Sequence, residues 1–301
     1  MATEADLREV VRQATARLST AGVATPRVDA CALLAFVLEV EVGELERRIV
    51  LGHGLPVDLA ARFAALLERR CAREPLQHLT GRAGFRRLDL AVGPGVFVPR
   101  PETEVVAGLA IEELTRRDAG ERLVAVDLCT GSGAIALALA DEVPGVEVHA
   151  VEVSEAALVW TRRNIEETGL PVALHADDVT GRLDTLADLR GRVAVVVSNP
   201  PYIPPDAVPI DVEVAGHDPH EALYGGGRDG LDVPRAVVAA AAALLVPGGL
   251  LVMEHADVQS GTLTDLLSAD DAWQDVAAHT DLTGRPRAVA ARRTAIRTPG
   301  S

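Results

Sequence analysis

Two short segments of the chain hold residue types that could do chemistry together. One is Asp127-Leu128-Cys129-Thr130-Gly131-Ser132-Gly133 and the other is Ser198-Asn199-Pro200-Pro201-Tyr202. In the first, Gly131 and Gly133 let the backbone approach a ligand closely and adopt conformations that other residues avoid. Dinucleotide-binding turns use a similar Gly-x-Gly, and the third glycine position of their fingerprint falls on Ala136, a residue that fingerprint tolerates. Two acids narrow the choice. Glu152 follows the glycines by about 20 residues, the spacing at which an acid accepts hydrogen bonds from a ribose diol. Asp127 stands just ahead of the loop, where a carboxylate can hold an ammonium group but would repel a pyrophosphate. S-adenosylmethionine carries an ammonium and a sulfonium, so the pair favours this methyl donor over a dinucleotide. Asp178 is placed to accept from an adenine amino group, with Asp177 as a substitute. Taken singly, each acid also reads as a solvated strand end.

The second segment suits a planar NH2 group. An amide nitrogen is a poor nucleophile because its lone pair is delocalised into the carbonyl. A site that methylates it must hold both N–H bonds and aim the nitrogen at the methyl group. The side-chain oxygen of Asn199 can accept one N–H. The Pro200 carbonyl can accept the other, because a Pro-Pro pair stays extended and outside any helix or ladder. Tyr202 offers a ring face for the flat amide or for the donor. Orientation and fixed dipoles would supply most of the rate, with no general base touching the substrate. Asn-Pro-Pro is also a turn former, expected in any loop after a strand. A methyl-donor site two strands away weighs against that plainer reading.

The elements that must position these segments are legible as patterns. Val124–Leu128, Val146–Glu152, Val172–Ala176 and Val193–Ser198 are apolar runs of strand length. Helices are expected over Ala134–Asp141 and from the N-cap Ser154 towards Gly169. This alternation signals an α/β doubly wound sheet with ligands at the carboxyl ends of its strands. Pro234–Leu245 reads as a helix stopped by Pro247-Gly248-Gly249, with a strand over Leu250–Glu254 and a last strand pair around Val276 and Arg287–Ala291. Ahead of this region, Leu7, Val10, Val11, Ala14 and Leu18 keep helical spacing, and Arg27–Leu38 and Asp58–Arg70 read as further helices. No residues there suggest chemistry, so a small packing or partner-binding bundle is expected. Residues 74–101 are broken by glycines and prolines around the alternating run Arg87–Val92, as in a hairpin or extended linker.

Composition sets bounds. Of 301 residues, 48% are hydrophobic and 24% charged, enough apolar material for two modest domains. The net charge of -15 opposes a broad grip on a nucleic-acid backbone. Cys31, Cys71 and Cys129 are widely spaced, which suggests reduced thiols and no zinc or other metal framework. The acidic start lacks a signal-peptide core, and no apolar run approaches the ~20 residues of a bilayer span, so a cytoplasmic protein is expected. Seven arginines fall between Arg69 and Arg100. They form either a solvated face or a contact for an acidic protein surface.

The sequence resembles the release factor glutamine methyltransferases over nearly its whole length. Glu74-Pro75-Leu76-Gln77-His78, Pro94-Gly95-Val96 and above all Val98-Pro99-Arg100-Pro101-Glu102-Thr103-Glu104 carry the likeness, with Asp229-Gly230-Leu231 and Gly284-Arg285-Pro286-Arg287. The Asn-Pro-Pro-Tyr motif is shared with DNA and RNA methyltransferases, so the linker signature selects the family. The resemblance implies a Rossmann-like, seven-stranded class I methyltransferase domain over residues 101–301, a hairpin linker over 81–100 and a helical substrate-recognition domain over 1–80. It implies methyl transfer from S-adenosylmethionine, leaving S-adenosylhomocysteine, to the Gly-Gly-Gln glutamine of class I peptide chain release factors. Substrate contacts map to Asn199, Pro200, Pro201 and Tyr202, of which Asn199, Pro200 and Tyr202 would be catalytic. Donor contacts map to Asp127, Cys129, Thr130, Gly131, Ser132, Gly133, Glu152, Asp178, Val179 and Asn199. Two departures stand out: Cys129 where many members have Gly, and Glu152 where Asp is usual. The competing readings are a DNA adenine amino-methyltransferase, which would hold a flipped base at the same motif, and a non-catalytic donor-binding module.

Overall fold

The computed structural model describes residues 4–117, 122–209 and 211–295. The chain divides into two units, Met1–Arg82 with Pro209–His217, and Ala83–Val208 with Asp218–Ser301.

The first unit is helical. It runs β1 (Ala5–Asp6), α1 (Leu7–Thr20), α2 (Pro26–Leu38), α3 (Val42–Val50), β2 (Gly54–Leu55), α4 (Val57–Cys71) and α5 (Leu76–Thr80), with β1 and β2 paired antiparallel. Asp6 caps α1 by accepting the Arg8 amide at 2.9 Å, and Leu7, Val11, Ala14 and Leu18 form its buried stripe. The expected helices lie within a residue or two of their places. The helices of this unit that were not expected, α3, α5 and α9 (Val212–His217), are short, at nine, five and six residues. Inside the unit Arg70 is buried against Asp29 at 2.7 Å and against Glu213 at 2.7 Å.

The second unit begins with the hairpin β3 (Arg82–Phe85) and β4 (Leu88–Ala91), whose first residue still belongs to the helical unit. There follow α6 (Thr103–Arg116), β5 (Val124–Leu128), α7 (Ala134–Glu142), β6 (Glu147–Glu152), α8 (Glu155–Thr168), β7 (Val172–Ala176) and β8 (Val193–Ser198). After α9 (Val212–His217), which belongs to the first unit, come α10 (His220–Leu223), α11 (Asp232–Leu244), β9 (Leu245–Glu254), α12 (Ser260–Ser268), β10 (Trp273–Thr280) and β11 (Pro286–Arg293). The seven strands lie in the order β10-β11-β9-β8-β5-β6-β7, with β11 antiparallel to both neighbours, a doubly wound Rossmann-like sheet. Along β5, Ala125 packs on the face covered by α6 and α7, while Val124, Val126 and Leu128 pack on the face of α11 and α12. Burial on both faces is why β5 and β8 read as continuous apolar runs.

Two expectations need correction. β8 is not two strands from β5 but beside it, with Leu128 opposite Ser198. The chain leaves β5 outward through β6 and β7, then crosses back to the other side of β5. The strand order therefore reverses between β5 and β8, and a crevice opens at their carboxyl ends. Nor does Pro247-Gly248-Gly249 separate helix from strand. β9 starts at Leu245, and its pairing with β8 jumps from Val193–Leu245 to Val195–Leu250, so residues 246–249 bulge out opposite Ala194. The bulge supplies the one place in such a strand where proline and a left-handed glycine are tolerated.

Candidate active site

The loop after β5 is built by divided labour. Gly131 has φ of 59°, and a side chain there would meet no atom within 4 Å, so its backbone faces open space. Gly133, at φ of 85°, starts α7 close under α8, where a Cβ would press to 3.0 Å from Thr161. One glycine leaves room for a ligand and the other allows helix packing. Cys129 adopts φ of 61°, a left-handed backbone that favours glycine. α8 braces the loop from below: Thr161 donates to the Gly131 carbonyl at 2.5 Å, and Asn164 donates to the Ser132 carbonyl at 2.9 Å. Asn164 also pairs with both backbone groups of Ala91, so a polar residue within an apolar helix face ties the hairpin to the loop.

Three acids end neighbouring strands at this crevice. Asp127 is fully buried. Its Oδ2 accepts from the Thr130 hydroxyl at 2.5 Å and from the Ala136 amide at 3.1 Å, while Oδ1 has no partner among the described residues. Burial pushes its carboxyl up to about 7, against the pull of those two donors. Glu152 takes the amides of Gly131, Val153 and Ser154 at 2.8 to 3.0 Å, and burial raises its carboxyl also. It thus shapes the loop while keeping lone pairs that could accept a diol. Beyond β7, Asp177 is engaged by Thr185 at 2.7 Å, whereas Asp178 is exposed and folds back on Thr180 with one oxygen. That separates the two sequence candidates: Asp177 holds the turn, and Asp178 has an oxygen to offer beside buried Val179. An unpartnered buried carboxylate oxygen, an open glycine backbone and further acids fit S-adenosylmethionine, whose two cations would meet them. Burial and the carboxylates of Glu152 and Asp127 push the Cys129 thiol up, which keeps it neutral.

The Asn-Pro-Pro-Tyr segment leaves β8 next to this loop, and Ser198 donates to the Leu128 carbonyl at 2.6 Å, locking the two strand ends together. Asn199 donates its amide nitrogen to the Thr103 hydroxyl at 3.2 Å, which points its oxygen the other way. Neither that oxygen nor the Pro200 carbonyl accepts a hydrogen bond from the described residues. The Tyr202 hydroxyl donates to Glu254 at 3.3 Å, and burial pushes its phenol up, so it stays protonated. The segment is pinned from outside by backbone. The amides of Tyr202 and Ile203 both donate to the Leu223 carbonyl, at 3.1 and 2.8 Å, and Gln259 donates to the Tyr202 and Asp229 carbonyls. Gly225 and Gly230 let the next turn come close: a Cβ would lie 2.5 Å from the Pro201 oxygen and 2.3 Å from the Tyr202 oxygen, respectively.

Sequence reasoning missed Thr103, Glu254 and Gln259 as parts of the site. Glu254 carried a usable signal, since it ends an apolar strand as Asp127 and Glu152 do. Thr103 lay inside the linker signature without an assigned role, and Gln259 had no signal. The arginines between positions 69 and 100 are mostly engaged within their own units. Arg69 pairs with Glu74, Arg73 with Glu213, Arg86 with Glu142, and Arg100 with Asp218. Arg87 is more solvated than these, 3.9 Å from Glu142 and 72% exposed.

Residues 9–81 match the PrmC N-terminal domain family, and residues 77–214 match the methyltransferase small domain family. Relatives are similar along almost the full chain. The release factor glutamine methyltransferase of Streptomyces coelicolor is 52% identical, over 94% of this chain and 96% of its own. That of Mycolicibacterium smegmatis is 49% identical over 96% and 98%, and that of Deinococcus radiodurans 45% over 95% and 98%. The linker signature and the paired acceptors of Asn199 and Pro200 thus sit on a class I methyltransferase sheet that uses S-adenosylmethionine, and the chain belongs to the release factor glutamine methyltransferase family.

Proposed function

We propose that the protein methylates the side-chain amide nitrogen of the glutamine in the Gly-Gly-Gln motif of class I release factors, in the cytoplasm. The observation that carries this reading is the pair of acceptors unengaged by the described residues, the Asn199 oxygen and the Pro200 carbonyl, beside the loop that follows β5. S-adenosylmethionine supplies a methyl group on a sulfonium, open to in-line displacement. Asn199 and Pro200 each accept one N–H of the glutamine and set the nitrogen's lone pair towards that methyl. As the new N–C bond forms and the C–S bond breaks, positive charge grows on the nitrogen, and both acceptors bind its protons more tightly. The surplus proton then leaves to water. Tyr202, fixed by Glu254, presents its ring as a wall for the flat amide. Asp127, through the oxygen that has no partner among the described residues, would hold the donor's ammonium, Glu152 its ribose, and Asp178 with Val179 its adenine; Cys129, Thr130 and Ser132 would complete the loop between them.

Release factor and duplex DNA, each incubated with the protein and labelled donor, test this. Peptide mass mapping should find one added methyl on the Gly-Gly-Gln glutamine and no label in DNA. An unmodified glutamine would overturn the reading.

A further inference from the structure

Asn199 serves a substrate NH2 group only if its side-chain oxygen faces that group. Its own shape does not decide this, because the two ends of a carboxamide are nearly the same size while one only accepts and the other only donates. The decision is made behind it. The Thr103 Oγ1 lies 3.2 Å from Asn199 Nδ2 and 2.7 Å from Glu254 Oε2, and both Thr103 and Glu254 are buried. A threonine hydroxyl has one proton, and an ionised carboxylate can only accept. With Glu254 ionised, its form above about pH 7, the proton goes to Glu254, and Thr103 meets Asn199 with lone pairs alone. Only the NH2 end of Asn199 satisfies them, and its oxygen is turned towards the crevice.

Glu254 is itself held in place. Its second oxygen accepts from Tyr202 at 3.3 Å, and burial pushes its carboxyl up while the Thr103 hydroxyl and the Arg287 guanidinium pull the other way. One carboxylate at the end of β9 thereby touches both halves of the motif, Asn199 through Thr103 and Tyr202 directly. A flipped Asn199 would present its own two N–H donors to the substrate NH2 group, which has no acceptor to offer in return.

We propose that Thr103 and Glu254 are positioning residues that set the orientation of the Asn199 amide and so make it an acceptor for the substrate. This rests on the amide-methylation reading above, and it assigns a role to the threonine of the linker signature. The plainer role is structural, a buried bond that fastens α6 to β9.

Thr103→Val keeps the shape and removes the hydroxyl; Thr103→Ser restores it. Methyl transfer and the side-chain NH2 resonance of Asn199 are measured in wild type and both variants. The expected result is a fall in kcat of about tenfold or more for Thr103→Val, with donor affinity held and the protein still fully folded at the assay temperature, although the buried Glu254 oxygen left without its donor lowers the melting temperature. For Thr103→Ser, kcat should return to within about threefold. One Asn199 side-chain proton should exchange slowly in wild type and in Thr103→Ser, and quickly in Thr103→Val. A Thr103→Val protein with wild-type kcat, or a loss that serine does not restore, overturns the proposal. So does fast exchange of both protons in the wild type, which needs no variant. Were the wild type to methylate no release factor, the functional reading would fall, and the resonance would still decide the orientation.

Discussion

Asp127 has one carboxylate oxygen committed and one not. Oδ2 caps the start of α7 and takes the Thr130 hydroxyl, whereas Oδ1 is buried without a partner among the described residues. A buried acceptor in that state is costly until a donor arrives. The ammonium of the methyl donor is such a donor. Asp127→Asn keeps the shape and a capping oxygen but loses the charge. It should weaken S-adenosylmethionine binding by about tenfold, the loss of one charge-assisted hydrogen bond, while kcat at saturating donor stays within about threefold. Calorimetric titration and initial rates separate the two; unchanged affinity would remove Asp127 from the donor site. Asp127, Glu152 and the Asn-Pro-Pro-Tyr segment were legible because strand-end acids and a proline pair are visible in a linear string. Thr103 was not, because its role depends on a hydroxyl from one helix meeting residues 96 and 151 positions away.

At the scale of elements, the crevice exists because the sheet order reverses between β5 and β8. Each strand then delivers one segment to the same edge. The strands β5 and β8 were readable to the residue as apolar runs, since both faces of each are buried. Their order was not. Nothing local in Val193–Ser198 says that it lies next to β5, and the expectation of a two-strand gap failed for that reason. β9 misled in another way, because its bulge carries the proline and glycines that ordinarily mark a break. The turn containing Gly225 and Gly230 is the element that supports the substrate segment from outside. Gly230→Ala would place a Cβ 2.3 Å from the Tyr202 carbonyl oxygen, on a backbone with φ of 74°. The segment must shift, and misplacement on the ångström scale costs about 100-fold where geometry supplies the rate. We expect kcat for release factor to fall by at least about tenfold, with donor affinity within about twofold of wild type. A Gly230→Ala enzyme of normal kcat would show that the segment does not need this support.

For the whole molecule, two buried carboxyls share one consequence. Asp127 and Glu254 are both pushed up to about 7 by burial. Their raised values favour the protonated folded form, so their contribution to stability is full below the ordinary carboxylate range and is lost as pH rises through about 7. A cation beside Asp127 needs the ionised form. Donor binding should therefore tighten by at least about fivefold between about pH 5.5 and pH 7.5, and the donor-induced rise in unfolding temperature should grow in step. Scanning calorimetry with and without donor reads this directly. A pH-independent shift would mean that Asp127 does not titrate against the ligand. Net charge and cysteine spacing bounded the molecule from sequence, but neither could reveal these two carboxyls. A burial-shifted acid depends on what surrounds it in space.

The neutral thiol of Cys129 has a further meaning. A loop that cradles an activated methyl group must not carry a better acceptor than the intended one, and a thiolate is a far stronger nucleophile than any carboxamide. The left-handed position that glycine commonly fills holds sulfur in this chain, and Glu152 and Asp127 together with burial keep its proton on. The same acids that suit the donor's cations thus guard the enzyme against alkylating itself.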